Sequence, residues 1–315
     1  MEILVLGGTS FVGRAIVERA LELGHEVTLY SRGQTGAELF PSVPRLLGDR
    51  TTGDYASLQP GRFDAVVDVS GYVPRHVQQA HEALAGRAGR YLFISTGSVY
   101  DRSQAAGNGM TEDTPRLTPE RGTEEITGET YGPLKVACED DVLALWGDAA
   151  TIVRPGIVAG PWDPTDRFTW WVRRAARGGR VALPGRPDQP VQVVDSRDLA
   201  ALVVQLLADD RPGIFNAVGP VESVTLAELV QACATSAGTE VIVIPVDQSL
   251  AELPLVLPDA TWDVMFRRSA TRALEVGLGT TALEQTATDV RVWDTERGLP
   301  PLAQELTTER EAELL

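Results

Sequence analysis

Tyr131 and Lys135 stand four residues apart in the run Tyr131-Gly-Pro-Leu-Lys135. On a helix that spacing puts both side chains on one face, able to meet the same ligand. A free phenol has a pKa of about 10, and an ammonium fixed beside it favours the phenolate, which is what proton-transfer chemistry near neutral pH needs. Lysine suits that task better than arginine because its charge is a compact point. All but one of the 28 basic residues are arginine, and Lys135 is the exception. The only lysine in the chain therefore asks for a chemical reason.

A second group of residues suits phosphate. Glu2 to Leu6 is an apolar run of strand length, Gly7 and Gly8 interrupt it, and Ala15, Ile16, Ala20, Leu21 and Leu23 then recur at helical spacing up to Gly24. Glu26 to Tyr30 is the next strand, which completes a βαβ unit whose helix presents its N-terminal N–H groups to a pyrophosphate. The glycines fall as Gly7-x-x-Ser10-x-x-Gly13, with Thr9, Phe11 and Val12 between them and Ser10 where the dinucleotide fingerprint carries a glycine. The second strand ends in Ser31-Arg32. Enzymes that prefer NAD place a carboxylate there for the ribose 2′-hydroxyl, whereas an arginine accommodates a 2′-phosphate, so this end favours NADP, with NAD the other choice.

The elements that must position these groups alternate as β-α-β-β-β-α-β over residues 2–96. A short strand from Arg45 leads to Asp49 and Arg50, at the sheet end where adenine lies in nucleotide-binding folds, and Asp49 is placed to accept from the adenine amino group. Residues 64–71 form a buried strand ending in Ser70 and Gly71, Arg75 to Leu84 a helix, and Tyr91 to Thr96 another strand followed by Ser98 and Tyr100. The pattern predicts an α/β fold, a doubly wound parallel sheet that gathers ligands at its carboxyl edge. The polar stretch 101–130, which contains Gly107-Asn108-Gly109, is too long for a plain connection and is expected to be an active-site loop or lid. Tyr131 then opens a helix with Pro133 in its first turn.

Past the strand Thr151 to Arg154 the chain changes character. Trp162, Trp170 and Trp171 lie near Arg167, Arg173, Arg174, Arg177 and Arg180, either as an amphipathic helix with packed tryptophans and solvated arginines or as a substrate wall. Gln192 to Asp195 is expected as a strand feeding a helix in which Asp198 is a helix-start carboxylate. Thr225-Leu-Ala-Glu is a capping pattern between strands at 214–219 and 240–244, residues 283–297 form a last amphipathic helix, and the charged tail from Ala303 is expected to fray.

With 315 residues the chain can bury a large core, as one domain or a main domain with a smaller partner. Its net charge of −16 disfavours a nucleic-acid or anionic-membrane surface. No apolar run approaches the roughly 20 residues of a spanning helix, and the N-terminus runs directly into a strand, so a cytoplasmic protein is expected. Cys138 and Cys233, far apart and without ligand-like neighbours, fit packed thiols and no structural metal site.

Taken in order, the Gly7–Gly13 turn, Asp49, Thr96 with Ser98-Val99-Tyr100, Tyr131-x-x-x-Lys135 and Arg154-Pro155-Gly156-Ile157-Val158-x-Gly160-Pro161 resemble the extended short-chain dehydrogenase/reductases of the NAD-dependent epimerase/dehydratase type. The resemblance implies a Rossmann-like domain over 1–155 with a return segment near 190–210, and a smaller C-terminal α/β substrate-binding domain over 156–315. It assigns Tyr131 the acid/base role, Lys135 the nicotinamide ribose and a lowering of the tyrosine pKa, and Thr96 the orientation of the reacting oxygen. Pro155 and Ile157 join the cofactor set, and Ser98, Tyr100, Trp162, Arg167 and Trp170 the substrate set. A homodimer through the Tyr131 helix is a family-level expectation.

The reaction stays open among three readings. An NADP(H)-dependent oxidoreductase acting on a carbonyl or hydroxyl of a small metabolite comes first. A nucleotide-sugar epimerase or dehydratase with tightly held cofactor comes second, weakened because Val191 stands where the family's diphosphate arginine is expected and Arg186 is out of register. A non-catalytic nucleotide-binding regulator comes third; the intact Tyr131 and Lys135 argue against it.

Overall fold

In a computed structural model the chain is described except at residues 60, 85, 106–108, 221–222 and 305. Its first half runs β1 (Glu2–Leu6), α1 (Phe11–Glu22), β2 (Glu26–Ser31), β3 (Arg45–Leu47), β4 (Phe63–Asp68), α2 (Pro74–Leu84), β5 (Ala88–Ile94), α3 (Tyr131–Trp146) and β6 (Ala150–Pro155). The second half adds β7 (Ile157–Ala159), α4 (Arg167–Ala176), β8 (Gly179–Pro184), β9 (Pro190–Val191), β10 (Val193–Asp195), α5 (Ser196–Ala208), β11 (Gly213–Ala217), β12 (Val224–Thr225), α6 (Leu226–Ala237) and β13 (Val241–Val246). Helices α7 (Thr271–Glu275), α8 (Leu283–Glu296) and α9 (Thr308–Leu314) follow.

Seven strands form one sheet in the order β11-β6-β5-β4-β1-β2-β3, parallel throughout. Ile3 to Leu6 are at most 1% exposed, as a strand covered by helices on both faces must be. Alternation divides them. Ile3 and Val5 pack with Ile16 and Val17 of α1 and Leu199 and Val203 of α5, whereas Leu4 and Leu6 share a core with Val77 of α2 and Cys138 and Val142 of α3. The order reverses between β1 and β4, so a crevice opens at their carboxyl ends, where such sheets take their ligands. The doubly wound parallel sheet is thus as the sequence pattern requires.

A second core gathers Trp170 and Trp171 of α4, Leu229 and Val230 of α6, Val290 and Trp293 of α8 and Val181 of β8. Thr225 caps α6 with the expected reciprocal pair to Glu228. Two arginines of α4 are paired, not solvated: Arg173 bonds Asp294 on α8 at 2.7 Å, and Arg174 bonds Glu311 on α9 at 2.7 Å. That second bond also corrects the tail. Residues 308–314 are helical, and Glu311 is buried because Arg174 and the Ala182 N–H neutralise and hold its carboxylate.

The described residues of the stretch 101–130 do not form a lid over the crevice. Residues 106–108, including Gly107 and Asn108, lie outside the described residues, and none of the described remainder lines the crevice. Its chain is strapped down by Arg116 on Glu139 and Asp140, Arg121 on Asp141 and Arg75 on Glu124.

Candidate active site

The crevice has a volume of about 960 Å³ and runs along the carboxyl ends of the central strands. Gly7, Thr9, Ser10, Phe11 and Val12 form its floor at the start of α1. Gly13 lies beneath them, where an added Cβ would sit 2.1 Å from the Gly7 carbonyl oxygen, so only glycine lets α1 begin this close to β1. Ser10 is the residue before α1, extended at φ −140°, ψ 141°, with no capping bond from its side chain. Nothing about that backbone demands glycine, and the exposed hydroxyl stays available at the helix N-terminus. These residues fit a dinucleotide pyrophosphate.

The residues expected to transfer protons converge opposite. Gly132 allows it, since a Cβ there would meet the Ser98 carbonyl oxygen at 2.4 Å, and its lack brings the first turn of α3 against the Thr96–Ser98 turn. Thr96, Ser98, Tyr131 and Lys135 all line the crevice. Thr96 Oγ1 accepts from the Ser98 N–H at 3.1 Å, which fixes its rotamer. Lys135 is buried, and its Nζ donates at 2.8 Å to the carbonyl oxygens of Gly71 and Ile94. Burial pulls that ammonium down to about 8, while Cys138 and Asp68 hold it up. Tyr131 departs from the expected direction. Burial raises its phenol above the ordinary value and outweighs the Thr96 hydroxyl, which pulls it down.

Ser31, Arg32, Asp49, Ser70, Pro155 and Ile157 line the same crevice. Arg32 is exposed at its far end, and Asp49, whose carboxylate is held low by the Thr51 hydroxyl and N–H, stands near it. Arg50 lines the crevice as well, with its guanidinium committed within the protein. Its guanidinium donates to Tyr55 Oη, both oxygens of Asp68, Ser70 Oγ and the His76 carbonyl, so every N–H is taken. It braces the strand end at the wall of the crevice. Gly71 does not line the crevice and acts through its carbonyl on Lys135.

Of the residues expected to meet substrate, Ser98 and Arg167 line the crevice and three do not. Tyr100 is buried, donating to Asn216 Oδ1 at 2.7 Å and accepting from Arg154 Nη1 at 2.9 Å. Trp170 is 4% exposed and packs edge-on against Trp171. Trp162 lies outside beneath the Arg14 guanidinium, 3.7 Å from its ring centre. The apolar wall comes instead from Leu257, Pro258, Trp262, Met265 and Phe266, which carry no local signal of it. Two charged residues were also missed. Asp163 lines the crevice with Oδ2 buried and unpartnered among the described residues, and burial raises its pKa against the pull of Thr165. Arg268 lines it from the end of the apolar wall.

The fold and this crevice define a Rossmann-like protein of the nucleotide-binding class. Residues 3–217 match the model of the NAD dependent epimerase/dehydratase family, and the chain belongs to that family. It is 27% identical over 254 residues to the chloroplast stem-loop binding protein of 41 kDa b of Arabidopsis thaliana, covering 75% of this chain and 63% of that protein. It is 28% identical over 220 residues to the 2′-dehydrokanamycin reductase of Streptomyces kanamyceticus, covering 67% of this chain and 59% of that one. The chain thus spans less than two thirds of either relative's length. A solved UDP-glucose 4-epimerase superposes with a TM-score of 0.73 at 18% identity, over 97% of this chain and 100% of that one, a likeness of fold. No helix among the described residues is long and apolar enough to cross a membrane.

Proposed function

We propose that the protein is an NADP(H)-dependent oxidoreductase that interconverts a carbonyl and a hydroxyl on a small metabolite. The observation that carries this reading is the meeting of Thr96, Ser98, Tyr131 and Lys135 in one crevice with the Gly7–Gly13 turn and Arg32. The turn and Ser10 would hold the pyrophosphate, Arg32 the 2′-phosphate, Asp49 the adenine and Lys135 the nicotinamide ribose. Bound NADP(H) would supply or take up the hydride. Thr96 and Tyr131 would hydrogen-bond the substrate oxygen, and Tyr131 would give it a proton in reduction or take one in oxidation. A phenol raised by burial suits the donor role at neutral pH. Residues 156–315 would supply most of the substrate side, and the cell's cytoplasm its setting.

The similarity to a reductase supports this reading over the epimerase one. Fluorescence titration with NADPH and NADH tests the cofactor, and NADPH consumption over a carbonyl panel tests the reaction. We expect tighter binding of NADPH and release of cofactor on dilution. Tyr131→Phe should keep NADPH affinity while turnover falls by about 100-fold or more. Tighter NADH binding would overturn the cofactor choice, and near wild-type turnover in Tyr131→Phe would overturn the assignment of the acid.

A further inference from the structure

Arg268 is 7% exposed and lines the crevice, yet its guanidinium makes no hydrogen bond, ion pair or cation–π contact among the described residues. The contrast with its neighbours is sharp. Arg154 is bound by Glu139, Arg50 by Asp68, and Arg272 by Asp113. A buried cation without a partner is costly, and a chain that places one at a ligand crevice has left its counter-charge to the ligand.

Its position is built. The Gln192 side chain, itself 2% exposed, grips the Arg268 backbone from both directions, accepting from its N–H at 2.9 Å and donating to its carbonyl at 3.0 Å. On the other side Met110 bonds the flanking residues, donating to the Arg267 carbonyl at 3.1 Å and accepting from the Ser269 N–H at 2.8 Å. The guanidinium then lies between two glycines: a Cβ on Gly97 would fall 2.4 Å from Cζ, and one on Gly156 would fall 3.3 Å from Nη1. Gly97 follows Thr96 directly, so the charge stands beside the residue placed to orient the reacting oxygen.

We propose that Arg268 is a specificity-determining residue that pairs with an anionic group, carboxylate or phosphate, on the substrate. The inference rests on the oxidoreductase reading for what happens at Tyr131, but not for the binding of the anion. A net charge of −16 makes the chain as a whole repel anions, so a local buried fork is the means by which one is admitted and oriented.

Calorimetric titration with malonate and with inorganic phosphate tests it, on the full chain saturated with NADPH and on the chain alone. Wild type should bind one of the two saturably, malonate pointing to a carboxylate substrate and phosphate to a phosphorylated one. Arg268→Gln should weaken that binding by about tenfold or more, with Arg268→Lys between. Without anion, Arg268→Gln should melt no lower than wild type, since it removes an unpaired buried charge, whereas a structural arginine would lower the melting temperature. Equal affinity in wild type and Arg268→Gln, binding of neither anion, or a lower melting temperature in both variants overturns the proposal. NADPH fluorescence in the same samples keeps the two readings apart: a chain that binds NADPH and neither anion refutes this inference alone, and one that binds an anion through Arg268 without NADPH refutes only the cofactor reading.

Discussion

Behind the crevice, the Tyr100 hydroxyl closes a buried network in which Arg154 also pairs with Glu139 and Asn216 also donates to the Ser269 carbonyl. A tyrosine shortly after a strand end suggests a substrate contact, but burial and two polar partners make it a brace. Tyr100→Phe leaves a guanidinium N–H and an amide oxygen unsatisfied, which should cost about 1–3 kcal/mol in chemical denaturation, with KM for any substrate unchanged. Lys135 shows the other side of the same scale. Its uniqueness marks it as special in the sequence, and the fold gives it two carbonyl partners at 2.8 Å.

At the scale of elements, the site depends on how closely helices approach strand ends. Gly13 sets the distance of α1 from β1, and the atom in its way is backbone, which has little room to give. Gly13→Ala should therefore displace the first turn of α1, lowering stability by about 1–3 kcal/mol and NADPH affinity together, as read by denaturation and fluorescence titration. An intact affinity would show that the turn is not where the cofactor lies. Helix α4 teaches the converse. Its tryptophans and arginines left open a packed amphipathic helix or a substrate wall, and apart from Arg167 they hold α8 and α9 in the second core.

The molecule as a whole carries a pH response in His76, a largely buried residue at the crevice wall within reach of the charges of Arg50, Asp68, Arg75 and Glu124. Burial first, and the Arg50 charge second, lower its pKa from 6.5 to about 4. The unfolded chain takes up a proton in that window and the folded one does not, so this part of the stability is intact above 6.5 and lost as pH falls through 6.5 towards 4. The loss is on the order of 3 kcal/mol. In denaturation series over that range, His76→Gln should fall less steeply than wild type; parallel curves would mean that His76 is protonated in the fold.

What the sequence determined by itself is whatever depends on neighbours along the chain. Strand and helix order over residues 2–96, the glycine turn before α1, the shared face of Tyr131 and Lys135, and the cap at Thr225 all follow from periodicity and short-range spacing, which one chain segment specifies alone. Only the tertiary structure decided which groups have partners. Arg50 is spent on Asp68, Tyr100 on Asn216 and Glu311 on Arg174, while the Arg268 guanidinium has no partner among the described residues. Those partners lie 18, 116 and 137 residues away in the chain. Charge compensation in a buried place is settled by whatever the fold brings within about 3 Å, and no local pattern encodes it.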